Sequence, residues 1–211
     1  MGELTWDDLV VESGVRERFA SFGDAVLAGG LVLVISGPAG VGKTFAARVW
    51  AESLRLDLWR IDAELLLERH GDGVVTRGLD EVLAFGRRPL GVLLFARTER
   101  LVAAHADALL ARLAERRAPT VIELGERVPR SLSTLPVVAL TRPGRELRHR
   151  QWQRLVERAS PLSAPDYDRL ADLELTGAAI EDAVRAVVLG AGDERLETAA
   201  LVAAATRQSD A

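Results

Sequence analysis

The chain has 211 residues, of which 48% are hydrophobic and 27% charged, with no cysteine and a net charge of −4. That is enough for one large domain or a two-part module with a substantial core. It excludes disulfides and thiolate metal sites, and it offers no electrostatic attraction to nucleic acid or to an anionic membrane surface. His70, His105 and His149 form no ligand pair at helical spacing, so a metal enzyme is not expected. The first eight residues are acidic and lack the basic and apolar regions of a secretory signal. The longest apolar stretch, around residues 26–36, is too short to span a bilayer and contains two glycines. The expectation is a soluble, cytoplasmic protein without membrane or nucleic-acid partners.

In chain order, residues 6–28 predict a lead-in segment and a helix. Residues 31–36 form a continuous apolar, β-branched run that ends at a glycine loop, the pattern of a buried parallel strand. A helix follows over 43–54 and a strand over 56–61, closed by Asp62. Short helical stretches are expected at 64–69 and 79–87, the second stopped by Pro89. Residues 91–96 (Gly-Val-Leu-Leu-Phe-Ala) predict a third buried strand, 101–116 a helix and 136–140 a fourth strand. The intervening 118–135 reads as a hairpin insertion or an extra strand, and a weaker strand is expected near 155–159. Alternating strands and helices predict a parallel sheet covered on both faces. After Pro161 and Pro165 the strand signals stop, and three alanine-rich helices are expected at 166–173, 177–190 and 194–207. The expected division is an α/β core over 1–164 and a small helical subdomain over 165–211.

The chain contains one lysine, Lys43; the other 26 of its 27 basic residues are arginine. It lies in Gly37-Pro38-Ala39-Gly40-Val41-Gly42-Lys43-Thr44, a complete G-x-x-x-x-G-K-[ST] match between the buried strand and the helix. A compact ammonium on a thin stem reaches between terminal phosphates where a planar guanidinium is too wide. The glycines let the backbone curl so that successive N–H groups surround an anion, and the following helix N-terminus adds its dipole. The pattern assigns Lys43 to the β- and γ-phosphates and the Thr44 hydroxyl to Mg²⁺.

These motifs together resemble the AAA+ ATPases, P-loop proteins with an α/β core and a small C-terminal helical lid. The resemblance covers nearly the whole chain. Thr5-Trp6-Asp7-Asp8-Leu9 resembles the family's lead-in segment near the adenine pocket. Residues 95–101 fall where the second acidic motif is expected, Ala139-Leu140-Thr141-Arg142-Pro143 resembles the sensor strand, and 175–180 resembles the start of the lid's sensor helix. The resemblance implies ATP or ADP with Mg²⁺ as ligands, and by analogy a protein partner or neighbours in a ring.

The departures from the family pattern bear on catalysis. The Asp-Glu pair that supports Mg²⁺ and polarises water falls on Ala96 and Arg97, and neither supplies a carboxylate. Glu99 is the nearby carboxylate that could substitute, against the plainer reading of a helix-start glutamate. The chain has no asparagine, and Thr141 stands at the sensor position. Arg148, Arg150 and Arg154 are the arginine-finger candidates, and Arg185 is the candidate for the lid arginine. The pore-loop aromatic of threading unfoldases falls on Arg69 or His70. Three functions follow. The first is an ATP-binding conformational or assembly module with weak or absent hydrolysis. The second is an active ATPase that remodels a protein, and the third a scaffold with a vestigial site.

Overall fold

The computed structural model of the chain describes residues 4–27, 32–85, 91–115, 119–191 and 195–209. The chain divides into two compact units. One comprises Met1–Leu9, Ser13–Gly37 and Lys43–Leu140, the other Val10–Glu12, Pro38–Gly42 and Thr141–Ala211. The compositional break at Pro161 and Pro165 therefore falls inside the second unit.

The first unit holds a five-stranded, all-parallel sheet. Its strands are β1 (Val32–Ser36), β2 (Asp57–Asp62), β3 (Gly91–Ala96), β4 (Thr120–Leu124) and β5 (Val137–Ala139), in the order β2-β3-β4-β1-β5. Every residue of β3 and β4 is buried, as expected of central strands covered on both faces. The helices of this unit are α1 (Ser13–Leu27), α2 (Lys43–Ser53), α3 (Ala63–His70), α4 (Leu79–Phe85) and α5 (Glu99–Ala114). Phe95 of β3, Ile122 of β4, Leu101 and Leu109 of α5 and Leu79 of α4 anchor the core. Trp6 packs on Phe19 of α1 at 5.5 Å between ring centroids, and Phe19 packs on Trp50 of α2 at 5.8 Å. The lead-in segment is thus fastened to the core by an aromatic ladder. The strand and helix expected at 31–36 and 43–54 form within a residue of those bounds, as do the strands at 56–61 and 91–96, and the helix expected at 101–116 lies two residues earlier, at Glu99–Ala114. Leu31, Arg87, Pro89, Arg116 and Glu194 lie outside the described residues.

One open alternative is resolved and one expectation is corrected. Of the two readings of 118–135, the structure shows the extra strand and not the hairpin insertion. The Thr-Val-Ile-Glu-Leu run is β4, which lies between β3 and the phosphate-loop strand β1 and pairs with both in parallel. Residues 155–159 are not a strand but the end of α6 (Arg145–Ala159). The apolar pair Leu155-Val156 looks extended in isolation, yet Leu147, Trp152 and Val156 share one buried helical face.

The second unit is helical. α6, α7 (Tyr167–Ala171), α8 (Gly177–Ala191) and α9 (Thr198–Ser209) enclose a separate core of Trp152, Leu170, Ile180, Leu201 and their neighbours. Arg145 of α6 bonds Asp172 at 2.7 Å and Asp168 at 2.9 Å, which ties α6 to α7. No helix among the described residues is long and apolar enough to cross a membrane.

Candidate functional site

In the first unit the site is built where β1 ends and α2 begins. The Lys43 Nζ donates to the Gly37 carbonyl at 2.8 Å, so the ammonium is folded back along its own loop. The Gly37 amide donates to the Gly125 carbonyl at 3.1 Å, and the Gly125 amide donates to Glu99 Oε1 at 2.9 Å. This relay runs from the first turn of α5, through the residue after β4, to the first residue of the phosphate loop. Glu99, read as a stand-in for the missing acid, is the carboxylate that anchors it.

Gly40 (φ 75°) and Gly42 (φ 95°) occupy the left-handed region that disfavours side chains. A Cβ placed on Gly42 would meet nothing within 4 Å, so open space adjoins the backbone there. Gly40 is different. Its carbonyl accepts from the Ala178 amide at 3.0 Å, and a Cβ there would stand 2.7 Å from the Thr176 hydroxyl. That hydroxyl in turn accepts from the Ala179 amide at 3.3 Å. Two of the otherwise unbonded amides at the start of α8 are therefore satisfied, one by Thr176 and one by the loop. Gly40→Ala is expected to cost roughly 1–2 kcal/mol for the left-handed backbone alone, read as a lowered urea midpoint with an unchanged slope.

At the end of β3 no acid is presented. Ala96 is buried. The Arg97 backbone is left-handed (φ 55°), and its guanidinium grips Asp62 at the end of β2, with Nε 3.0 Å from Oδ1. Asp62 also caps α3 by accepting from the Glu64 and Leu65 amides at 3.1 and 3.2 Å. The Arg97 hydrogen bond, helped by those amides, holds the Asp62 carboxyl below its ordinary range. A depressed carboxylate stabilises the fold at pH above its unfolded value, and the contribution fades as acid protonates it. Asp62→Ala should cost about 1 kcal/mol, mainly through the lost cap. In melts run from neutral pH down to pH 3, the gap from the native chain should narrow.

The acid that stands near the loop is Glu123 of β4, a residue that motif reasoning passed over. It is only 7% exposed. The Thr98 hydroxyl holds its carbonyl, and β4 pairing holds its backbone. Burial pushes its carboxyl above the ordinary glutamate range, against a hydrogen bond from the Thr44 side chain and the charges of Lys43 and Arg60, which pull it down. Its Oε1 is buried and has no hydrogen-bond partner. One charged residue inside Thr-Val-Ile-Glu-Leu was the available signal, since a buried strand admits a carboxylate only where something compensates it.

The other predicted residues are placed as follows. Thr141 follows the edge strand β5, and its hydroxyl donates to Glu12 at 3.1 Å. Arg148 donates to the Ala171 and Pro143 carbonyls, both at 2.8 Å. Arg150 lies 3.9 Å from Glu146 one turn away on α6. Arg185 pairs with Glu181 and Asp182 on its own helix. Arg69 and His70, at the place of the family's pore-loop aromatic, end α3.

A nucleotide with Mg²⁺ fits these residues. The first unit offers the Lys43 ammonium, the Thr44 hydroxyl and a buried Glu123 carboxylate with one unpartnered oxygen. Among the described residues, no group of three or more His, Cys, Asp or Glu side chains could hold a metal.

No family model matches the chain, and no curated protein matches its sequence. Solved structures do match. The C. elegans PCH-2 structure superposes with a TM-score of 0.73 at 13% identity, covering 97% of this chain and 71% of that one. The FIGL-1 AAA domain in complex with ADP gives 0.72 at 17% identity, covering 98% and 85%. A structure described as the basis for katanin self-assembly gives 0.67 at 17%, covering 97% and 85%. At such identities the likeness is one of fold, and it agrees with the strand order and the helical C-terminal unit. The chain has the fold of the AAA+ ATPases, an α/β core with a parallel five-stranded sheet followed by C-terminal helices.

Proposed function

We propose that the chain is an ATP-binding module of AAA+ type, in which ATP or ADP with Mg²⁺ acts as a conformational or assembly switch and hydrolysis is weak or absent. The phosphate loop carries this reading. Lys43 Nζ rests on a backbone carbonyl that it can leave for a phosphate oxygen, and the glycines that curl the loop have the backbone such a cradle requires. The weak turnover rests on β3, where the expected acidic pair is a buried methyl and an arginine committed to Asp62. Losing a general base and a metal-supporting carboxylate each costs orders of magnitude in rate. In this reading the helical C-terminal part, drawn from composition at 165–211, is the lid. By analogy with a self-assembling neighbour, the partners are other AAA+ subunits or a protein client.

An active ATPase is the second reading, and the Glu123–Thr44 contact favours it. Titration with a fluorescent ATP analogue, paired with phosphate release, separates the two. The proposed function expects saturable binding with turnover below about 0.01 s⁻¹, against the 1 s⁻¹ or more of ordinary enzymes. Turnover in the ordinary range would establish the second reading, and absence of binding would leave a scaffold with a vestigial site.

A further inference from the structure

The sheet register puts an acid where the β3 motif lacks one. Phe95 of β3 pairs with Ile122 of β4, so the next position along places Glu123 level with Ala96. On its other side Glu123 pairs with Ile35 of β1, the residue before the strand's last, Ser36. Paired positions in neighbouring parallel strands present their side chains to the same face. The carboxylate has thus moved one strand, about 4.8 Å, toward the phosphate-loop strand, on the face where the β3 acid would have stood.

Three further observations point the same way. Glu123 is more than nine-tenths buried, a costly setting for a carboxylate without a task. One of its oxygens is engaged by Thr44, the residue that the loop motif assigns to the metal, while Oε1 has no partner at all. Its backbone is fixed by pairing with Ile35 of β1 and by the Thr98 hydroxyl on its carbonyl, so the carboxylate is positioned by rigid structure.

We propose that Glu123 and Thr44 together form the protein's half of a Mg²⁺ site, with β4 supplying the carboxylate that β3 lacks. The inference rests on the nucleotide-binding reading, since the phosphates complete the coordination. Magnesium keeps several waters and takes one or two carboxylates plus phosphate oxygens, so a single well-placed glutamate suffices. When bound, the ion neutralises phosphate charge. What Glu123 does is accept the Thr44 hydroxyl and offer its second oxygen to the ion or to a water on it.

The test measures affinity for a fluorescent ATP analogue with Mg²⁺ and with EDTA, in the native chain, Glu123→Gln and Lys43→Ala. In the native chain Mg²⁺ should tighten binding at least tenfold. In Glu123→Gln the affinity in EDTA should stay within about threefold of native, because the loop and Lys43 are untouched, while the gain from Mg²⁺ should fall about tenfold. Lys43→Ala should weaken binding under both conditions. Glu123→Met, of similar volume and without an oxygen, carries the same comparison if the Gln variant does not fold. Retention of the full Mg²⁺ gain in whichever variant folds overturns the assignment while nucleotide binding stands. No binding by the native chain in either buffer overturns both.

Discussion

Lys43→Ala is expected to weaken ATP binding about a hundredfold. A hydrogen bond to a charged group is worth roughly 1.5–3 kcal/mol, and each 1.4 kcal/mol is tenfold in affinity. The motif gives this ammonium two phosphates to bridge. Thermal melting reads the effect directly. With ATP at a hundred times its Kd, the native chain gains about 2.7 kcal/mol, which for a protein of this size moves the midpoint by roughly 5–11 °C. At the same concentration the variant sits near its own Kd, gains about 0.4 kcal/mol and shifts by about 1 °C. Without nucleotide the two proteins should melt within a few degrees of each other, because a hydrogen bond such as that of Lys43 to the Gly37 carbonyl contributes little net stability. Equal nucleotide-induced shifts in the two proteins would disprove the assigned role of the loop.

Trp152→Ala is expected to be the most destabilising single change in the helical unit, at about 3–5 kcal/mol. The indole is completely buried and, with Leu170, Ile180 and Leu201, joins α6 to the helices that follow. Alanine leaves a cavity that four short helices cannot collapse to fill. The indole Nε1 has no hydrogen-bond partner, so its removal carries no polar loss. Trp152→Phe, which keeps a ring and drops the unsatisfied donor, should therefore cost less than about 1.5 kcal/mol. Urea melts monitored by circular dichroism separate the two. A penalty for the phenylalanine variant as large as for alanine would mean that the indole nitrogen has a role the packing does not reveal.

The elements that the sequence made legible are those in which one periodicity stands alone. The uninterrupted apolar runs of β1 and β3 and the glycine-to-lysine stretch between β1 and α2 left little choice. Where two patterns overlapped, the local reading failed. Leu155-Val156 resembled a strand because short apolar pairs do, while the controlling signal was the spacing back to Trp152, about one turn of helix earlier, and to Leu147 beyond it. β4 was obscured by its glutamate, since a charge in an apolar run argues against burial unless its partner is known. That partner, Thr44, lies 79 positions earlier in the chain and meets it only through the sheet order. Arg97 likewise could be seen to lack a carboxylate, but its engagement with Asp62 depends on β2 lying beside β3 and on a left-handed backbone that no residue type announces.

The carbonyl of Gly40 on the first turn of α8 bears on how the chain can be cut. The helical unit draws on Pro38–Gly42 and Val10–Glu12 as well as on Thr141–Ala211. A fragment expressed from Thr141 onward would have a closed core of apolar side chains but an α8 whose second amide faces water. Its first turn would fray, and amide exchange there would outpace that of the intact chain. The limits of this unit follow hydrogen bonds rather than the order of synthesis, and no single scission point separates a complete helical piece from the rest.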